Sequence, residues 1–183
     1  PMKTVKDFLR EAEEPSDLPQ IYCDMDMVLV DFVGGANKAL KDAGHDFEFT
    51  DKSQHNQKDQ KWDILKGVPK FWANLEPMPD GLQLWNYIKR FNPSILSTPS
   101  KRMPTSKPEK REWLRKQNMK PKEIHLVARE DKQRFATTPD GKPNVLIDDY
   151  IKNIKEWEAQ GGIGIRHITT TKTIAELKKL GYK

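Results

Sequence analysis

The sequence predicts a three-layer α/β/α domain, a parallel sheet between two layers of helices, with a small, mostly helical cap inserted after the first strand. Two observations carry this expectation. Short apolar runs alternate with segments of helical spacing from Ile21 to the end of the chain, the pattern of strands that crossover helices bury on both faces. Asp24, Ser97 and Asp148 each close one of those runs, and in open parallel sheets ligands bind beyond the carboxyl ends of the strands.

Taken in order, Val5, Phe8, Leu9 and Ala12 recur at helical spacing and predict a short helix from Thr4 to Glu14, broken by EEPSDLP. Ile21 to Asp24 reads as the first strand, and the stretch from Val28 through Phe32 leads into a helix that passes Leu40 and stops near Gly44. From His45 to Lys61 the pattern dissolves into polar residues. Trp62, Ile64, Leu65, Phe71, Trp72 and Leu75 then crowd together before the turn signal PMPDG, which suggests an inserted cap. Leu82, Trp85 and Ile88 predict a helix, followed by a strand from Ser94 to Ser97, the loop TPSKRMPTSKP and a helix from about Pro108 to Gln117. Strands are expected from Ile124 to Ala128, Val145 to Asp148 and Ile163 to His167. Ile151, Ile154 and Trp157 share one helical face, and Thr173 with Glu176 reads as a capping box opening the last helix. The division that follows is a helical N-terminal extension over residues 1–19, a core over 20–33 and 79–183, and a cap over 34–78.

Composition narrows the classes. With 183 residues the chain suits one core with a small insertion. No apolar stretch approaches the ~20 residues a membrane-spanning helix needs, and PMKTVKDFLREAEE has no apolar signal core, so a cytoplasmic protein is expected. A single cysteine, Cys23, excludes an internal disulfide and a multi-cysteine zinc site; inside an apolar run it reads as a core thiol before a reactive one. The net charge of +5 is spread among acidic residues, compatible with a solvated surface as well as with an anion-binding one. His45, His55, His125 and His167 show no metal-ligand spacing.

The chemistry lies in the carboxylates. Asp24 and Asp26 alternate, so a continuing strand would put both on one side, and a turn after Asp24 would aim both at a common ligand. Asp148 and Asp149 form a second pair at another strand end. Each pair alone reads as ordinary loop and cap residues. Gathered in one pocket, four carboxylates repel unless a cation or shared protons relieve them, and magnesium, which takes one or two carboxylates plus substrate phosphate, fits that need.

In their order and spacing, DMDMVLVDFVGG, FWANLEPMPDG, ILSTPSK, PEKREWLRK, LVAREDK and NVLIDDYIKNIKEWEAQGG resemble the haloacid dehalogenase-like (HAD) hydrolases, with their Rossmann-like core, and among them the 5'(3')-deoxyribonucleotidases. The likeness spans roughly residues 20–167. It implies a phosphatase in which Asp24 attacks phosphorus and Asp26 serves as general acid and base. Ser97, Thr98 and Lys110 would bind phosphate. Magnesium would sit on Asp24, the backbone carbonyl of Asp26 and Asp148, with Asp149 in support. Lys101, Arg129 and Lys132 would line the substrate pocket, each with a solvated surface role as the alternative. Phe32, Trp62, Phe71 and Trp72 would contact a nucleobase, unless they are core. One departure stands out: the family usually carries Gly immediately after the second Asp, where Met27 stands here, and a turn that needs a positive φ would strain it.

The implied substrate is a nucleoside monophosphate. Two other readings stay open: a phosphatase for another small phosphomonoester or for a phosphate at a nucleic-acid end, and a binding protein that keeps the fold without turnover.

Overall fold

The computed structural model describes residues 17–50, 53–56 and 60–183; the helix expected from Thr4 to Glu14 lies outside them. Alternation within the short apolar runs sets the architecture, because successive side chains on a strand face opposite sides. Strand β1 (Ile21–Cys23) sends Ile21 and Cys23 to one face and Tyr22 to the other. The remaining strands are β2 (Ser94–Ser97), β3 (Ile124–Leu126), β4 (Val145–Asp148) and β5 (Ile163–Arg166). All pair in parallel in the order β3-β2-β1-β4-β5. The α/β class and the parallel sheet are as the sequence predicts.

Helices cover both faces. On one side Ile21, Cys23, Ile95, Val145 and Ile147 pack with Leu84 and Ile88 of α3 (Gly81–Ile88) and Leu177 of α6 (Thr170–Lys179). On the other, Leu96 and Leu146 meet Ile154 and Trp157 of α5 (Ile151–Ala159). Each such fully buried aliphatic side chain stabilises the fold by roughly 1.5–3 kcal/mol. Cys23 belongs to this packing. Burial, followed by the charges of Asp24 and Asp148, pushes its thiol well above the ordinary range, so it stays an inert thiol.

Helix α1 (Phe32–Asp42) starts at Asp31, whose Oδ1 accepts from the Gly34 N–H at 2.9 Å. Asn37 on α1 then grips the backbone of Phe49 through both its amide groups, at 2.7 and 3.0 Å. The short helix α2 (Lys61–Leu65) brings Trp62 and Leu65 onto the same apolar cluster. Helix α4 (Ser106–Lys116) then docks the end of the cap: Trp113 Nε1 donates to the Leu75 carbonyl at 2.8 Å, Lys116 reaches Ala73 and Asn74, and Glu109 accepts from the Trp72 N–H at 3.2 Å.

Three local expectations are corrected. Leu82 and Ile151 are 42% and 37% exposed; Gly81, Leu84, Trp85 and Ile88 form the inner side of α3. The last helix is capped by Thr169, whose side chain accepts from the Lys172 N–H. Thr173 is instead inside α6, where its hydroxyl meets His167 Nδ1 at 2.7 Å. Capping-box spacing is satisfied equally well one turn into a helix, so the pattern misplaced the start. Among the described residues no helix is long and apolar enough to cross a membrane.

The turn before α3 brings two backbones close together. Met78 donates to the Leu29 carbonyl at 2.8 Å, and a Cβ added at Gly81 would lie 2.7 Å from that same oxygen. Alanine favours a helix over glycine by up to ~1 kcal/mol, but overpacking against backbone costs about 1–3 kcal/mol. Gly81→Ala is therefore expected to lower the denaturation midpoint; an unchanged or raised midpoint would show that the turn relaxes freely.

Candidate active site

The sheet order places the candidate residues. From β1 the chain moves outward through β2 and β3, then returns to lay β4 on the opposite side of β1, which makes the carboxyl end of β1 a topological switch point. Cys23 is in register with Ile147, and the Asp24 N–H continues the ladder onto the Ile147 carbonyl at 2.9 Å. Asp24 and Asp148 thereby emerge side by side.

After Asp24 the backbone curls tightly. The N–H groups of Val28, Leu29 and Val30 all donate to the Met25 carbonyl, at 3.1, 2.8 and 2.9 Å. The curl passes through Met27 at φ +62°, so the turn does require the left-handed conformation that favours glycine. Such a residue costs ~1–2 kcal/mol. Part of this is offset locally, since Met27 Sδ accepts from the Val33 N–H at 3.4 Å and the side chain packs on the core.

Lys132 is 3% exposed and sits between the two strand ends, 3.0 Å from Asp24 Oδ1 and 2.8 Å from Asp148 Oδ2. It is delivered by the 3₁₀ segment Arg129–Phe135 that follows β3. Burial disfavours its charge, but Asp148 and Asp24 more than offset that and hold it above the ordinary lysine range. Asp148 is fully buried and doubly anchored: Oδ1 accepts from the Tyr150 N–H at 2.9 Å, and Oδ2 also accepts from Asn153 Nδ2 at 3.0 Å.

Carboxylate oxygens of Asp24, Asp148 and Asp149 all lie within 4.8 Å of one another. Burial, then the charges of Asp24 and Asp148, pushes Asp149 up to about 9, and burial with Asp24 raises Asp148 as well. One ammonium cannot balance three carboxylates at this spacing. Hard oxygen donors that close, with negative charge left over, fit a magnesium-type cation.

A second ion pair stands beside the first. Lys110 Nζ is 2.7 Å from Asp26 Oδ2 and lies over the Trp72 ring, 4.6 Å from its centroid. Asp26 Oδ1, Ser97 Oγ and Thr98 Oγ1 are buried and make no hydrogen bond within the described residues. Unsatisfied buried oxygens of this kind are uncommon and usually mark a site for a further polar group.

One cleft of about 280 Å³ collects most of the predicted residues: Asp24, Asp26, Lys132, Asp149, Thr98, Lys101 and Arg129, with an apolar wall of Phe32, Trp62 and Trp72, which are only 1%, 2% and 3% exposed and belong to the main core. The three rings are nearly parallel, Phe32 lying 5.3 Å from Trp62 at 22° and 5.1 Å from Trp72 at 17°. Phe71 is set behind them, edge-on to Phe32 and Trp72. Ser97, Lys110 and Asp148 are buried beneath the lining. Sequence reasoning missed Asn153, which lines the cleft from the first turn of α5, and also Gln54 and His55. His55 stacks on Tyr150, ring centroids 3.8 Å apart. Asn153 follows the DDY run on a helix start, a signal that was readable; the His55 stack has none.

No protein-family profile matches the chain, and no curated protein matches it. Solved structures do share its fold. A HAD family hydrolase from Deinococcus radiodurans R1, with bound phosphate and sodium, aligns with a TM-score of 0.57 at 12% identity, over 90% of this chain and 97% of that one. A Bacillus subtilis protein described as a HAD-hydrolase and bound to magnesium gives 0.56 at 11%, over 87% and 98%. The L-2-haloacid dehalogenase from Xanthobacter autotrophicus gives 0.55 at 11%, over 88% and 83%. The chain therefore has the HAD-like fold.

The raised Asp149 carboxyl predicts a pH dependence. An unfolded aspartate titrates near ~4, whereas burial and the charges of Asp24 and Asp148 push Asp149 in the folded protein up to about 9. Between these values the folded state keeps a proton that the unfolded state releases, so the stability Asp149 contributes is full below about pH 4 and is lost as pH rises through about 9. In thermal unfolding without divalent cations, the wild type should lose stability across that window relative to Asp149→Asn. Parallel profiles would contradict the assignment.

Proposed function

We propose that the chain is a magnesium-dependent phosphomonoester hydrolase that forms an aspartyl-phosphate on Asp24, with a nucleoside monophosphate as substrate. The observation that carries this reading is the pairing of Asp24, at a strand end against Lys132 and Asp148, with Asp26 two residues later in the same cleft. A carboxylate at Asp24 can attack phosphorus and divide a hard hydrolysis into two easier steps. Asp26 has one oxygen fixed by Lys110 and the other, Oδ1, unengaged. Oδ1 is thus the atom to hand a proton to a departing alcohol oxygen and later to take one from the attacking water. A halide leaving group needs no such proton, which favours phosphate ester over haloacid chemistry.

Thr98, Ser97 and Lys132 would hold the phosphoryl oxygens, Lys132 taking the role expected of Lys110, which is paired with Asp26 instead; the unsatisfied hydroxyls and buried ammonium support this. Asp24, Asp148 and Asp149, with the Asp26 carbonyl, would hold magnesium, which when bound neutralises phosphoryl charge. The Phe32, Trp62 and Trp72 wall supports a flat aromatic moiety, stacking on such rings being worth ~1–3 kcal/mol per base. Under this reading the enzyme draws on soluble nucleotides in the cytoplasm.

A second reading, a phosphate at the end of a nucleic acid, draws on a shallow basic groove of Lys66, Lys101 and Arg102 that shares Lys101 with the cleft. Asp63 pairs with both Lys66 and Arg102 and lowers the net charge, so the monophosphate reading is preferred.

Phosphate release should be measured over 5' and 3' nucleotides, ribose 5-phosphate and a 3'-phosphorylated oligonucleotide, with and without magnesium. Nucleotides are expected to turn over best, chelation should abolish activity, and Asp24→Asn should lose at least 1000-fold, on the order of other nucleophile removals, with unfolding unchanged. Comparable turnover by Asp24→Asn would sink the assignment. Oligonucleotide preference would favour the second reading, and tight nucleotide binding without turnover would point to a binding protein.

A further inference from the structure

Arg129 lines the cleft, yet its guanidinium is engaged by protein partners on α5. Nη1 donates to Asn153 Oδ1 at 3.1 Å and to Glu156 Oε2 at 2.8 Å, and Nη2 donates to Glu156 Oε1 at 3.2 Å. Asn153 is 5% exposed, and its Nδ2 donates to Asp148 Oδ2 at 3.0 Å. A guanidinium only donates and a carboxylate only accepts, so an amide lying between them has a single satisfied orientation, oxygen toward Arg129 and nitrogen toward Asp148. Rotating the amide would set two acceptors against each other and two donors against each other.

We propose that Arg129 is a positioning residue: clamped by Glu156, it fixes the Asn153 amide, which in turn holds Asp148 in the orientation that faces Asp24 and Asp149. This rests on Asp148 being a magnesium ligand, as proposed above, and replaces the substrate-contact role that the sequence resemblance implied for Arg129. Both oxygens of Asp148 are then fixed, Oδ1 by the Tyr150 N–H and Oδ2 by Asn153 together with Lys132. Glu156 and Asn153 project from α5 and Arg129 from the segment carrying Lys132, so the same contacts also hold that lysine's segment against the helix. Partners that orient a metal's ligands typically affect metal affinity by about 10–100-fold.

The test is calorimetric titration of magnesium into the full chain, comparing wild type with Arg129→Met, Asn153→Leu, the double variant and Glu156→Gln, each checked by thermal unfolding. Arg129→Met and Asn153→Leu should each weaken magnesium binding by roughly 10-fold or more. The double variant should be no worse than Asn153→Leu alone, because the two act in series. Glu156 lies outside the cleft lining, and Glu156→Gln should weaken binding in the same direction; it decides the question if Asn153→Leu does not fold. At saturating magnesium, KM for substrate should be unchanged in Arg129→Met. Unchanged magnesium affinity with a raised KM would return Arg129 to the substrate, and multiplied losses in the double variant would break the series; either result overturns the inference. A wild type that binds no magnesium would overturn the metal reading itself, which is distinguishable from normal wild-type binding with unaffected variants.

Discussion

The ammonium of Lys132, wedged between Asp24 and Asp148, is the interaction on which the rest of this structure depends. Burying a lysine and two carboxylates costs several kcal/mol per ion before their attraction and hydrogen bonds repay it, and such a group persists only where the surroundings hold it in place. The surroundings are specific. The sheet order sets β1 against β4 so that the two aspartates emerge together, and the segment after β3 brings the lysine down between them. Helix α5 pins that segment through Arg129 and Glu156. Asp149 joins the cluster, its carboxyl raised by burial and by the charges of its neighbours.

A second constraint ties residues 72–75 to Asp26. Helix α4 supports both. Its Glu109, Trp113 and Lys116 hold the backbone of Trp72, Ala73 and Leu75, and its Lys110 holds Asp26 while lying over the Trp72 ring. The aromatic wall and Asp26 therefore share one support. The wall is also continuous with the main apolar cluster, in which Phe32, Trp62 and Trp72 pack alongside Ile21 and Cys23. Such a cleft is largely formed before any ligand enters, and truncating a wall ring would cost stability as well as contact.

Much of this was legible in the sequence, and the reasons are physical. Strands β2 and β4 span the residues expected, because each has an apolar middle buried on both faces of the sheet. The carboxylates at the ends of β1 and β4 marked the cleft. Met27 was recognisable as a misfit from its place after Asp26, and its positive φ shows that the turn is held by tertiary contacts against the residue's own preference. The roles of the lysines were less legible. Lys110 and Lys132 look alike in a chain this rich in cations, and only the crossing of distant segments sends one to Asp26 and the other to Asp24 and Asp148. Arg129 was invisible as a clamp for the same reason: its partner Glu156 lies on a separate helix. The stack of His55 on Tyr150 joins the cap to the core through residues that no local pattern connects.

The proposed reaction passes through a covalent bond between phosphorus and Asp24. Rapid quenching of the enzyme during turnover, followed by borohydride reduction and peptide mapping, reads that bond directly, since reduction of an acyl-phosphate converts the aspartate to homoserine. Homoserine at position 24, dependent on substrate and on magnesium, is the result predicted. Turnover with an unmodified Asp24, or homoserine at position 26 instead, would contradict it.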